Sequence, residues 1–314
     1  MKKYCVGVDV GGTTVKLGVF LCDGTLLKKW EIPTNKEDHG AKIVPEIASS
    51  IQETLQAEGI AYDAVEGIGM GVPGPVLEDG TVNRCVNLGW GVFCVKKALE
   101  EATSLPVTVG NDATVAAVGE AWQGGGKGYS SVVMITLGTG VGGGIVLHGK
   151  PLHGVHGAGG EIGHMFVVPE ETEVCGCGKK GCLEQVASAT GIVKEARKAL
   201  ASSMMPSALR GVDPLTARDV CDAAKAGDEL AKGVLEKLGH YLGLAMSHIA
   251  EVIDPEAFVI GGGVSKAGKI LIDVSEKYFK EYSFHACRSA VITLATLGND
   301  AGIYGAARMV IDEE

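Results

Sequence analysis

Four groups of residues in this chain have types and spacings that could do chemistry. The run DVGGTT (Asp9 to Thr14) sets an acid at the head of a glycine turn between two strand-like runs, YCVGVDV and VKLGVF. Glycine lets backbone amides approach an anion closely, and Thr13, Thr14 and Lys16 add hydroxyl donors and a cation, so the turn suits a phosphate. A second glycine loop, LGTGVGGG, lies between two further apolar, β-branched runs at Ser130 to Lys150, so the chain reads as internally duplicated. Gly138 to Gly143 formally matches GxGxxG, but a strand-like GIVLHGK follows where the dinucleotide fingerprint needs a helix. No GxxxxGK followed by Ser or Thr occurs anywhere. In VGNDATVAAVGEAW, Asn111 and Asp112 stand at a strand-to-helix junction, where α/β sheets present ligand-binding residues. Taken alone, Asp112 is a helix cap or a general base. Finally, CGCGKKGC places cysteines at 175, 177 and 182, with His164 eleven residues upstream in GEIGH. Three thiolates and an imidazole make a closed tetrahedral set for Zn²⁺, whereas a disulfide here would be unstable against a cellular thiol pool.

The elements that must position these groups alternate between strand and helix. CDGTLLKKWEI extends the first hairpin into a meander, and Ile43 to Gly59 has helical spacing and stops at a glycine. A buried strand runs from Ala64 into the tight turn of GVPGPV, and LPVTV leads into a helix starting near Asp112. GIVKEARKAL and the long run from TARDV to AEVI supply helices, with a proline-bearing stretch, Ala201 to Pro214, read as a mobile surface loop. PEAFVIGGGVSKAGKILIDV reads as strand, glycine turn and helix, and the last residues form a terminal helix that returns to the first half. The pattern is an α/β fold.

At 314 residues the chain is long enough for two domains, and 46% hydrophobic with 21% charged residues is an ordinary globular balance. A formal net charge of −10 without a basic run disfavours nucleic acid. No apolar stretch is long enough to span a membrane, and nine cysteines without a secretion signal point to the cytoplasm. The six cysteines outside the cluster read as small core hydrophobes, and His148, His153 and His156 as loop residues.

Taken together, DVGGTT, GVPGPV, VGNDA, LGTGVGGG, GEIGH, CGCGKKGCLE and VIGGGVS resemble, in order and nearly end to end, the ROK family of sugar kinases, and within it the bacterial glucokinases. The resemblance implies a duplicated actin-like (ribonuclease H-like) fold with ATP and sugar in an interdomain cleft. It implies one domain of residues 1–118 plus 300–314 and a second of 119–299, with hinges near 118–125 and 296–301. By similarity, Gly11, Gly12, Thr13, Thr14 and Lys16, with Gly138, Thr139, Gly140 and Gly142, hold the β and γ phosphates. Asp9 faces Mg²⁺ through water, and Gly261, Gly262 and Gly263 pack against the adenosine. Asp112 becomes the general base, and Asn111, Glu161, His164 and Glu184 the sugar ligands, with Asn87 added from VNLGWGV. That stretch departs from the commoner NLGW-x-N ending by having Gly91 and Val92. Zn²⁺ on His164, Cys175, Cys177 and Cys182 would leave the second imidazole nitrogen as a donor to a sugar hydroxyl. The implied activity is ATP-dependent phosphorylation of glucose at its 6-hydroxyl, with fructose, N-acetylglucosamine or N-acetylmannosamine as alternative substrates. A homodimer or homotetramer is implied as well. A sugar-sensing regulator would carry a helix-turn-helix ahead of residue 9, for which this chain leaves no room.

Overall fold

A computed structural model describes residues 2–311. Packing divides the chain into two compact units, residues 1–130, 144–160 and 297–314 in the first, and 131–143 and 161–296 in the second.

The first unit is built on a five-stranded sheet of β1 (Tyr4–Val10), β2 (Thr14–Leu21), β3 (Leu26–Pro33), β4 (Val65–Val72) and β5 (Val107–Asn111), in the order β3-β2-β1-β4-β5. The first three strands form the antiparallel meander, and β4 and β5 add in parallel through helical crossovers. One crossover carries α1 (Ile43–Ala57), whose Ile43, Ile47, Ile51 and Leu55 recur at helical spacing and are buried against the sheet. The other carries α2 (Val95–Thr103), with Val95 and Leu99 in the same core. Helix α3 (Asp112–Gln123) and the C-terminal helix (Ala301–Arg308) belong to this unit too.

Small residues explain the closeness of that packing. A Cβ on Gly69 of β4 would stand 1.7 Å from the carbonyl oxygen of Ala306, and one on Gly305 would stand 1.7 Å from that of Val115. The terminal helix therefore rests its backbone directly on the sheet and on α3, an approach that only glycine allows.

The second sheet comprises β6 (Val132–Leu137), β7 (Val141–Leu147), β8 (Lys150–Pro151), β9 (Ala257–Gly261) and β10 (Val291–Leu294), in the order β8-β7-β6-β9-β10. Here β7 and β8 pair antiparallel, and β9 pairs in parallel with β6 and β10. The duplication expected from the two glycine loops is thus a duplication of topology, each loop joining the first two strands of its sheet. The longer helices of the second unit are α4 (Ala189–Ser202), α5 (Ala217–Lys225), α6 (Glu229–Ile253) and α7 (Lys269–Tyr282). Asp228 caps α6 by accepting from the Ala231 amide, and Thr216 and Asp219 form a capping box on α5.

Two expectations change. A domain boundary at 118/119 falls inside α3, a continuous helix held to the terminal helix at Gly119, where a Cβ would meet the Ala301 carbonyl at 2.2 Å. The first unit accordingly extends through residue 130, gains 144–160, and resumes at 297 instead of 300. The stretch Ala201 to Pro214 begins inside α4, which runs to Ser202. Its Arg210 guanidinium donates to the carbonyls of Leu200 and Met205, gathering the segment round one side chain. Residues 312–314, placed by sequence in the terminal helix, lie outside the described residues.

Candidate functional site

In the first unit the β1–β2 turn is closed by an amide-to-carbonyl bond from Gly11 to Thr14 of 3.0 Å. It is braced by buried Thr34, whose hydroxyl donates to the Gly11 carbonyl at 2.7 Å and whose amide donates to the Thr13 carbonyl. A Cβ on Gly12 would meet nothing within 4 Å, and its φ is not positive, so the fold itself gives no reason for glycine there. Asp9 and Lys16 are paired residues of β1 and β2 and share a face. Lys16 also donates to the Asn299 carbonyl at 2.9 Å. Burial pushes the Asp9 carboxyl up to about 6, against the pull of the Lys16 ammonium, and nearby Asp112 adds to the rise. Room for that carboxyl comes from Gly302, where a Cβ would lie 2.6 Å from Asp9 Cγ. The sequence reading missed this glycine, since only the packing of the terminal helix on β1 gives it meaning.

The cap on α3 is Asn111, not Asp112. Asn111 Oδ1 accepts from the amides of Ala113 and Thr114, and its Nδ2 donates to the Gly74 carbonyl at 3.1 Å. One Nδ2 hydrogen remains for a ligand. Asp112 is the first helical residue, exposed, with Oδ1 accepting from the Ala113 amide at 2.8 Å. The Gly74 turn is tied in turn to the strip holding Asn87, for Asn83 donates to the Pro75 carbonyl. Asn87 itself is exposed on a short 3-10 turn, Val86–Leu88.

The second unit brings the metal-type residues together. Ligand atoms of His164, Cys175, Cys177 and Cys182 all lie within 4.8 Å of one another. Cys177 and Cys182 sulfurs are 3.6 Å apart, and His164 Nδ1 is 3.8 Å from Cys175 Sγ. Two thiolates on a tetrahedral ion with Zn–S of ~2.3 Å stand about 3.8 Å apart, so the set fits Zn²⁺. Burial and the adjoining thiols push Cys182 up to about 12, while the Lys179 backbone amide pulls Cys177 down. The remaining imidazole nitrogen, Nε2, faces the exposed Glu161 carboxylate at 3.9 Å. Of the other cysteines, 5, 85, 221 and 287 are buried as expected, but Cys22 and Cys94 are only partly so.

The second glycine loop is closed by the Gly138 amide donating to Gly140 at 2.9 Å. Gly261 is paired with Thr136 of β6, and Gly262, at φ 84°, sits where a Cβ would be 2.4 Å from the Leu137 carbonyl. Gly263 and Val264 line a cavity of about 640 Å³ whose other wall is α5, through Arg218 and Cys221, with its capping Thr216. Those α5 residues went unnoticed in the sequence because their helical spacing reads as ordinary amphipathic packing.

Paired sheets of matching topology, each with a glycine hairpin at the same place, together with an exposed carboxylate at a strand-to-helix junction, define the actin-like ATPase class. The chain belongs to the ROK family, whose model matches residues 5–313. It is 45% identical to a glucokinase of Halalkalibacterium halodurans over 99% of this chain and 96% of that one. A ROK family glucokinase of Streptomyces griseus, solved with glucose and AMPPNP, superposes with a TM-score of 0.74 at 34% identity, over 98% of each chain. A ROK hexokinase of Thermus thermophilus gives 0.79 at 32% identity over 97% of each.

Proposed function

We propose that the protein transfers the γ-phosphoryl group of ATP to the 6-hydroxyl of glucose. The observation that carries this reading is full-length similarity to glucokinases, one of them solved with glucose and an ATP analogue. Asp112 accepts the proton of the 6-hydroxyl as it attacks, a role suited to its exposed position at the start of α3. A carboxylate at a helix N-terminus is a weak base, which is sufficient because phosphoryl transfer depends mainly on positioning and charge neutralisation. Asn111, whose cap bonds fix its orientation, offers its spare amide hydrogen to a sugar hydroxyl, and Asn87, Glu161, His164 and Glu184 are the further sugar ligands. Gly11 to Thr14 and Gly138 to Gly142 present amides to the phosphates. Lys16 balances the charge of Asp9. The cavity beside Gly263 is of the size that takes an adenosine.

Mg²⁺, when bound with ATP, neutralises phosphate charge, and Asp9 is the residue that would hold it through water. Zn²⁺, when bound by His164, Cys175, Cys177 and Cys182, supplies folding energy to residues 164–182. With His164 Nδ1 turned to the sulfurs, Nε2 is the donor left for a sugar hydroxyl, and Glu161 beside it sets the ring's orientation. The reading includes a homodimer or homotetramer in a reducing compartment, to which the nine free thiols are suited. No helix among the described residues is long and apolar enough to cross a membrane.

The deciding experiment measures kcat/KM for glucose, fructose, mannose, N-acetylglucosamine and N-acetylmannosamine with MgATP, in the protein and in Asp112→Asn. Glucose should lead the panel, and the variant should lose at least ~10²-fold in kcat while still binding glucose. Near-normal turnover in Asp112→Asn would refute the base assignment, and a better amino sugar would move the substrate.

A further inference from the structure

The loop Gly138 to Val141, closed on itself by the Gly138–Gly140 bond, is also held by three bonds from residues 184–190. The Ala189 amide donates to the Gly138 carbonyl at 2.8 Å, and the Thr190 hydroxyl donates to the Thr139 carbonyl. The third bond is of a different kind, since Glu184 Oε2 accepts from the Val141 amide at 3.0 Å. A carboxylate bonded to a backbone amide is charge-assisted, and stronger than the neutral bonds beside it. Glu184 Oε1, meanwhile, accepts from Cys175 Sγ at 3.6 Å, and the residue itself lies two positions after Cys182. One side chain thus touches both the thiol cluster and the glycine loop.

Gly140 fits this arrangement. Its φ is not in the left-handed region, so backbone conformation does not demand glycine, but a Cβ there would stand 2.1 Å from Glu184 Oε2. The missing side chain is the space in which the carboxylate reaches the Val141 amide.

We infer that Glu184 is a positioning residue for the nucleotide as well as a sugar ligand: it fixes the second glycine loop in the shape that receives the phosphates. The inference rests on the kinase reading given above. A group that both meets the sugar and shapes the phosphate loop couples the two affinities, and such coupling is reciprocal. Glucose should therefore tighten nucleotide binding through Glu184.

The test is titration calorimetry of the whole protein with a non-hydrolysable ATP analogue and Mg²⁺, first without sugar, so that loss of a sugar contact does not enter. Glu184→Ala should weaken the analogue about tenfold, while Glu184→Gln, whose amide oxygen still accepts from Val141, should stay within about threefold of the parent. Gly140→Ala, which leaves every thiol and Glu184 in place, should weaken it about tenfold in the parent and no further in Glu184→Ala. Saturating glucose should tighten the analogue in the parent and leave Glu184→Ala unchanged. Parent-like affinity in Glu184→Ala overturns the inference, as does an equal effect of Gly140→Ala in both backgrounds. If Glu184→Ala does not fold, the parent and Glu184→Gln backgrounds carry the Gly140 comparison, with an unchanged affinity in Gly140→Ala as the overturning result. A parent that binds no nucleotide at all would instead sink the kinase reading itself.

Discussion

Asp9 holds a carboxylate where the folded chain resists its charge. Its pKa of about 6 stands above the ordinary 3.8, chiefly because burial strips water from the ionised form. A group whose pKa rises on folding favours the folded state below its ordinary pKa and loses that advantage as pH rises through the folded value. Asp9 therefore costs stability as pH climbs from about 4 to about 6, after which the cost is constant, and a shift of this size corresponds to about 3 kcal/mol. Asp9→Asn removes the charge and keeps the shape, so its melting temperature at pH 8 should exceed the parent's, with the difference shrinking toward pH 4. Calorimetric scans at several pH values check this. The same variant should lose MgATP turnover, placing Asp9 among residues kept for function against stability. In the parent, kcat/KM for MgATP should fall as pH drops below about 6, as the free enzyme's Asp9 takes up its proton.

At the level of elements, glycines separate into those the fold needs and those it does not. Gly69 and Gly305 let the terminal helix lie on β4 and α3, and a methyl at either collides with backbone at 1.7 Å. Gly69→Ala and Gly305→Ala should each cost at least ~2 kcal/mol in urea unfolding, because backbone has to move to admit the added carbon. Gly12→Ala meets open space and should change stability by no more than ~0.5 kcal/mol, while raising KM for ATP several-fold. A Gly12→Ala variant with parent-like ATP kinetics would remove the first loop from the phosphate site. The Cys/His cluster is the other element under test. Chelation, or Cys177→Ser at the exposed cysteine of the cluster, should lower the melting temperature and glucose affinity together, the outcome expected of a segment 164–182 ordered by Zn²⁺. Full glucose affinity in metal-free protein would separate the cluster from the sugar ligands. These elements were unequally legible beforehand. The two hairpins, the 111/112 junction and the Cys/His cluster stand in the sequence because each is a local pattern of residue types. The Glu184 bond to Val141, the Gly302 pocket for Asp9 and the α5 wall of the cavity join residues far apart in the chain. Periodicity carries no trace of them. Asn111 and Asp112 show the limit within a single motif: either side chain can cap a helix, and only the backbone angles select Asn111.

Across the whole molecule, one topology is used twice with different chemistry at matched places. In the first sheet, Asp9 of β1 is paired with Gly71 of β4. In the second, Thr136 of β6 holds the corresponding position and is paired with Gly261 of β9. Gly11 and Gly138 follow at the same distance in each loop, so the hairpin backbone is duplicated while the acid is not. The asymmetry has a measurable consequence with Mn²⁺ as a paramagnetic probe in the presence of ADP. The nucleotide complex should hold one Mn²⁺ per chain, Asp9→Asn should weaken that ion at least tenfold, and Thr136→Ala should leave it unchanged. Supplying an acid on the other side, by combining Asp9→Asn with Thr136→Asp, should not restore it, because Lys16 stands across from Asp9 and no lysine follows Gly138 at the equivalent step. Recovery of Mn²⁺ affinity and turnover in that double variant would mean that the two loops are interchangeable, and that the duplication extends to the chemistry as well as to the sheets.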